Sequence, residues 1–132
     1  MLGAQGTAAE GIKTTLHYAD SLATHPNRDF RLAFKKATSR DADVYAVAGY
    51  DTVNVLARAL DKVKGDVGAR KELIAALEAV RLDSPRGPFR FSKAHNPVQN
   101  VYVRQVKGGR EIVVGVAQKD AEDPAFGCQM AT

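Results

Sequence analysis

Along this chain the spacing of apolar residues shifts between the period of a strand and the period of a helix. Residues 11–17 alternate, with Ile12, Thr14 and Leu16 against Lys13, Thr15 and His17, which predicts a strand rich in β-branched positions. A polar loop, Asp20 to Pro26, leads to Phe30, Ala33, Phe34 and Ala37 at helical spacing. The spacing predicts a helix over about 27–39, capped by Asn27 or Asp29. The short apolar run Val44 to Ala48 is bounded by charged residues and Gly49. It reads as a buried parallel strand flanked by helices. Asp51 then serves as the N-cap of a helix whose apolar face is Val53, Leu56, Ala57, Leu60 and Val63, with Gly65 as its stop. Leu73, Ala76, Leu77 and Val80 predict a further helix over 69–82.

The period changes after residue 82. The stretch Asp83-Ser84-Pro85-Arg86-Gly87-Pro88 cannot continue a helix, because each proline lacks an amide donor and restricts its predecessor. From Phe89 onward apolar positions recur every second residue, and Gly108-Gly109 between two such runs predicts a hairpin over 99–117. The tail, Asp120 to Thr132, has little periodicity and reads as a loosely packed terminal segment.

Composition adds limits. The 132 residues are 45% hydrophobic and 26% charged, the balance of one globular domain. The net charge of +4 invites a nucleic-acid reading, but the densest basic cluster, Arg28, Arg31, Lys35, Lys36 and Arg40, spreads over a wide helix face and forms no stripe. No nucleic-acid partner is expected. Cys128 is the single cysteine, so an internal disulfide is excluded. His17, His25 and His95 do not pair at ligand spacing, and the serines lack the glycine elbow that exposes a nucleophile. No metal, cofactor or catalytic residue is expected. The first residues show neither the basic nor the apolar region of a signal peptide, and no stretch has the length of a membrane span. Of Tyr18, Tyr45 and Tyr50, two lie near strand ends of an α/β pattern, where ligands commonly bind, though core packing explains such tyrosines equally well.

Five pieces of sequence stand in a fixed order: Ala9-Glu10-Gly11-Ile12, Asn27-Arg28-Asp29-Phe30, Ala48-Gly49-Tyr50-Asp51-Thr52, the stretch 83–91, and His95-Asn96-Pro97-Val98-Gln99-Asn100-Val101-Tyr102-Val103. In order and spacing, over about residues 6–107, the chain resembles the type I periplasmic binding proteins of branched-chain amino acid and amide transport, with their relatives for urea and aromatic acids. The resemblance implies the C-terminal part of a two-lobed α/β receptor that closes on a solute and docks on an ABC permease in the periplasm. The fold expected is therefore a partial one, with helices on a mostly parallel sheet plus a C-terminal antiparallel hairpin. Residues 1–17 would end lobe two, 18–86 would belong to lobe one, 87–117 would return to lobe two, and 118–132 would form a tail.

By the same resemblance Tyr45 lines the cleft, with His17 and Tyr18 on a crossing segment beside it. The hydroxyls that hold a solute carboxylate, and the acid that holds its ammonium, would lie before Met1. The expected solute is an amino acid, an amide or an aromatic acid, and the expected activity is binding and not catalysis. Two other readings stay open: a cytoplasmic amide or amino-acid sensor of the same fold, and an interaction module without a ligand. A piece spanning both lobes would leave sheet edges and apolar helix faces uncovered, which predicts a homodimer.

Overall fold

The computed structural model describes residues 5–127 and Gln129. A 3-10 turn at Gly6–Ala9 precedes β1 (Lys13–Leu16), followed by α1 (His25–Thr38), α2 (Val44–Lys62) and α3 (Arg70–Glu78). Four strands complete the chain: β2 (Arg81–Ser84), β3 (Gly87–Phe91), β4 (Pro97–Lys107) and β5 (Arg110–Ala121). The expected α/β architecture stands, but every strand pairing among the described residues is antiparallel, in the order β1-β4-β3-β2 with β5 also on β4. The mostly parallel sheet expected from the sequence is not found there.

The main reason lies at residues 44–48. They are not a strand but the opening of α2, because Asp43 precedes them and its Oδ1 accepts the amides of Tyr45 at 3.1 Å and Ala46 at 2.9 Å. A five-residue apolar run has no period of its own, so the upstream cap decides its conformation. Asp51 consequently lies inside the helix and caps nothing. The buried face of α2 is Val47, Asp51, Val55 and Ala59 at four-residue spacing, whereas Val53 and Leu56 of the expected face are exposed. A helix apolar on two sides is one built to be covered on two sides.

The other elements shift by a few residues. Thr24, and not Asn27 or Asp29, caps α1 by accepting the Asn27 amide at 3.3 Å. Helix α3 ends at Glu78, short of 82, since Arg81 to Ser84 pair with β3 instead. Only Pro85 and Arg86 remain as the turn of that hairpin. The Gly108-Gly109 hairpin is as expected but longer, with both glycines at positive φ as a type I′ turn requires. Part of the tail is anchored: Glu122 pairs with Arg90 at 3.2 Å and Asp123 accepts from Asn96 at 3.0 Å. Cys128 lies outside the described residues.

Two small cores result. Tyr18, Phe30, Ala42 and Val47 join the β1–α1 loop, α1 and α2, while Val55, Val80, Leu82 and Phe89 join α2 to the β2–β3 hairpin. Strand β4 ties them to the rest. One of its edges carries β5, and the other is shared end to end by β1, opposite 102–105, and β3, opposite 97–99. Extending the β1 register (13 opposite 105) places His17 opposite Val101, and extending the β3 register (89 opposite 99) places Gly87 opposite the same residue. At Val101, therefore, one strand leaves the edge and another joins it.

Candidate functional site at the strand fork

The fork is held by a buried polar cluster. Helix α2 carries Asp51 on its inner face, and the two-residue turn between β2 and β3 presents Arg86 to it. Asp51 Oδ2 accepts Arg86 Nε and Nη2, both at 2.7 Å, and the Ser84 hydroxyl at 2.8 Å. Arg86 Nη1 donates to Gln99 Oε1 of β4 at 2.9 Å, and the guanidinium lies 5.1 Å from the centre of the Phe89 ring. The Arg86 carbonyl accepts the Tyr102 hydroxyl at 2.7 Å. Burying a charge is expensive unless it is paired and bonded on most sides, and here three elements supply the bonds. Asp51 Oδ1 alone has no partner among the described residues.

Glycine at 87 is required by this packing. Its φ is +102°, and a Cβ there would stand 2.7 Å from the Tyr102 hydroxyl. The hydroxyl that bonds the Arg86 carbonyl thus occupies the space a side chain would need.

His17 sits at the fork, half-buried. Burial holds its imidazole below the usual histidine range, and the nearby Arg86 and Arg104 guanidiniums push the same way against an opposing pull from Asp51. Arg104 bonds Glu111 at 2.7 Å and the Thr14 hydroxyl at 2.9 Å, so it fastens β1, β4 and β5 beside the imidazole. Tyr18 follows but points into the first core, where it is 2% exposed and its hydroxyl donates to Asn27 Oδ1 at 2.9 Å. Desolvation pushes its phenol up to about 12. Asn27 in turn donates to the carbonyls of Asp20 and Leu22, which fixes the loop between β1 and α1. Tyr45 stands on the first turn of α2 with 75% of its surface exposed.

The structure therefore brings His17 to the charged cluster, sets Tyr18 in the packing behind it, and leaves Tyr45 on the outside of the helix that supplies Asp51. No hydrogen bond joins Tyr45 to the other two among the described residues. The cluster of Asp51, Ser84, Arg86, Gln99 and Tyr102 was not singled out in the sequence. Its one signal was an acid spaced four residues from Val47 and Val55, on a face that should be apolar. Among the described residues no three His, Cys, Asp or Glu side chains are grouped to hold a metal, and no helix is long and apolar enough to cross a membrane. A separate open groove of about 550 Å³ runs between the 20–24 loop and α1 and is lined in part by Arg28, Arg31 and Lys35.

A family model described as periplasmic binding protein matches residues 1–111. The chain belongs to the periplasmic binding protein family. Among curated relatives, the Leu/Ile/Val-binding protein homolog 6 of Brucella abortus (strain 2308) is 32% identical over 108 residues, covering 80% of this chain and 27% of that protein. Among solved structures, an ABC transporter solute-binding protein from R. palustris in complex with benzoate is 45% identical with a TM-score of 0.89, covering 97% of this chain and 36% of that one. A second R. palustris solute-binding protein, in complex with 4-hydroxybenzoate, is 27% identical with a TM-score of 0.83, covering 96% and 36%. This periplasmic binding protein chain thus spans about a quarter to a third of the relatives it matches.

Proposed function

We propose that the chain forms part of a solute-binding protein of an ABC transporter, and that its solute is a benzoate-like aromatic carboxylic acid. The observation that carries this reading is the 45% identity, over 97% of the chain, to a solute-binding protein solved with benzoate. The Brucella relative, named for leucine, isoleucine and valine, favours a branched-chain amino acid as the second reading, at 32% identity.

In this reading the fork is the joint between two lobes. Strands β1, β4 and β5 hold together on one side, and α1, α2, α3 with the β2–β3 hairpin pack on the other, which supports dividing the chain near 17–20, while the packing of Phe89 and Phe91 favours a second division after β3 over one near 84–88. Tyr45 supplies an aromatic wall, since its exposed ring offers flat apolar area and its hydroxyl can orient a polar substituent. His17 supplies a neutral polar group at the crossing segment, and Tyr18 holds that segment in place from behind. The complete receptor works in the periplasm and delivers solute to a permease. The apolar outer side of α2, with Tyr45, Val53 and Leu56 exposed, supports self-association of this chain as a homodimer.

A thermal-shift panel of benzoate, 4-hydroxybenzoate, leucine and valine tests the solute class. A ligand at 100 times its Kd adds roughly 2.7 kcal/mol to stability, so binding is visible as a higher Tm. Benzoates are expected to raise Tm in the parent chain and to lose that effect in Tyr45→Ala, whose own Tm stays unchanged. A shift with leucine or valine and none with benzoates would replace the first reading by the second. A flat panel with a folded chain would place solute binding outside these 132 residues.

A further inference from the structure

The groove beside α1 has one wall that the fold holds in place. Asn27 donates to the carbonyls of Asp20 at 3.1 Å and Leu22 at 2.8 Å, Arg31 Nη1 donates to the Asp20 carbonyl at 2.9 Å, and the Ser21 hydroxyl accepts the Val113 amide at 3.1 Å. The facing wall is a stripe on α1. Arg28, Arg31 and Lys35 recur at i, i+3 and i+7 and line the groove, with Leu32, 65% exposed, among them. Lys36 and Arg40, the other two members of the basic cluster, take no part in the lining. The cluster that reads as a dispersed face in the sequence thus divides into three groove cations and two outside it. Residues 20–41 hold all five against Asp20, Asp29 and Asp41, a net +2, which is half of the chain's +4 in a sixth of its length.

We propose that this groove docks an extended acidic segment of a partner protein, one with an apolar side chain among its carboxylates. The proposal is independent of the solute reading. Charge complementarity sets the sign of the partner. Each groove cation already has an acid beside it: Arg28 pairs with Asp29 at 3.0 Å, Arg31 with Asp20 at 4.0 Å and Lys35 with Asp41 at 2.9 Å. Those side chains are 41–77% exposed, and surface pairs of this kind contribute little, so an incoming carboxylate competes for the cations.

The shape sets the rest. Arg28 and Lys35 stand about 10 Å apart along the helix axis, which about three residues of extended chain span. Leu32 offers apolar ground between them. The loop wall needs no ordering on binding, because Asn27 and Arg31 already fix it. A flat anionic surface such as a membrane would engage Lys36 and Arg40 as readily as the cations that line the groove.

Fluorescence anisotropy of a short labelled peptide of glutamates around a central leucine, titrated with the full chain at low salt, tests the docking. Arg28→Glu combined with Lys35→Glu is expected to weaken binding about tenfold or more. Lys36→Glu combined with Arg40→Glu changes the net charge by the same amount and is expected to weaken it no more than about threefold. All four side chains are exposed, and circular dichroism verifies that each variant is folded. Glycine in place of the peptide's leucine should also weaken binding. A peptide that does not bind overturns the proposal. Equal losses in the two double variants overturn the groove in favour of a diffuse attraction. Cosedimentation with phosphatidylglycerol vesicles, equally sensitive to both double variants and unaccompanied by peptide binding, would give this face to a membrane surface instead. Solute binding enters none of these readouts.

Discussion

Asp51 and Arg86 stand 35 positions apart in the chain, yet carboxylate and guanidinium meet at 2.7 Å with side-chain exposures of only 3% and 8%. The pair joins a helix to a hairpin turn at the point where two strands exchange places on β4. Removing one partner strands the other charge in the interior. Asp51→Asn or Arg86→Gln is therefore expected to lower unfolding free energy by about 3–5 kcal/mol in urea titrations. Replacing both residues by apolar side chains of similar volume should cost much less. Equal losses for the single and double variants would show that the bonds to Ser84 and Gln99, and not the charge pair, carry the stability.

Gly87 and Tyr102 are coupled through one oxygen atom. Gly87→Ala forces a side chain onto a residue at φ +102° and toward the Tyr102 hydroxyl, with an expected loss of about 1–3 kcal/mol. Tyr102→Phe removes the bond to the Arg86 carbonyl and is expected to cost about 1 kcal/mol. The double variant should cost less than the sum, because the phenylalanine frees the space the alanine needs. Strict additivity in that cycle would mean that backbone strain alone makes Gly87 necessary.

Stability should fall on both the acidic and the alkaline side, for different residues. The His17 pKa is lowered in the folded chain, so below the ordinary histidine value the unfolded chain takes up a proton first. Its contribution is intact above about pH 6.5 and declines as pH drops through the folded value. The Tyr18 phenol is raised from 10.0 to about 12, so its contribution is intact below pH 10 and is lost as pH climbs toward 12. Denaturation midpoints of His17→Asn across pH 5–7.5 should show a flatter acid limb than the parent, with no change in the alkaline limb. An unaltered acid limb would assign that slope to the carboxylates instead.

The two sides of α2 should respond differently to the same truncation. Val47 has no exposed surface and Val53 is 66% exposed. Val47→Ala is expected to cost about 2 kcal/mol through lost burial and the cavity left behind. Val53→Ala should stay within about 0.5 kcal/mol in the monomer. A comparable loss at Val53 at high protein concentration, vanishing on dilution, would identify that side of the helix as covered in an assembly.

Much of the fold was legible from spacing. Lys13 to Leu16, the α1 face at Phe30 and Phe34, and the Gly108-Gly109 hairpin each follow from a local period or a turn residue whose geometry has few alternatives. Val44 to Ala48 misled because an apolar run of that length suits a buried strand and a buried helical turn equally, and the deciding cap, Asp43, looks like any loop aspartate. Asp51 misled for the opposite reason: an acid before an apolar run has the signature of a cap, and only its partner on a hairpin 35 positions later shows that it is interior. Both errors moved the apolar face of α2 to its outer side. His17 could be placed on a crossing segment from the order of motifs, but the guanidiniums around it come from β4 and the β2–β3 turn, which no local pattern connects.

The shared edge of β4 also dictates an order of assembly. The β4–β5 hairpin closes through neighbours in sequence, whereas Lys13 of β1 must find Gln105, made 92 residues later. Contacts that span so much chain close late, because the loop entropy comes before any reward. Among the strands described, β1 is thus the last to be fixed, and the β4 edge opposite 102–105 stays open until it docks. Pulse-labelled hydrogen exchange should find the Thr14 and Leu16 amides, which face β4, protected after those of Val101 and Val103.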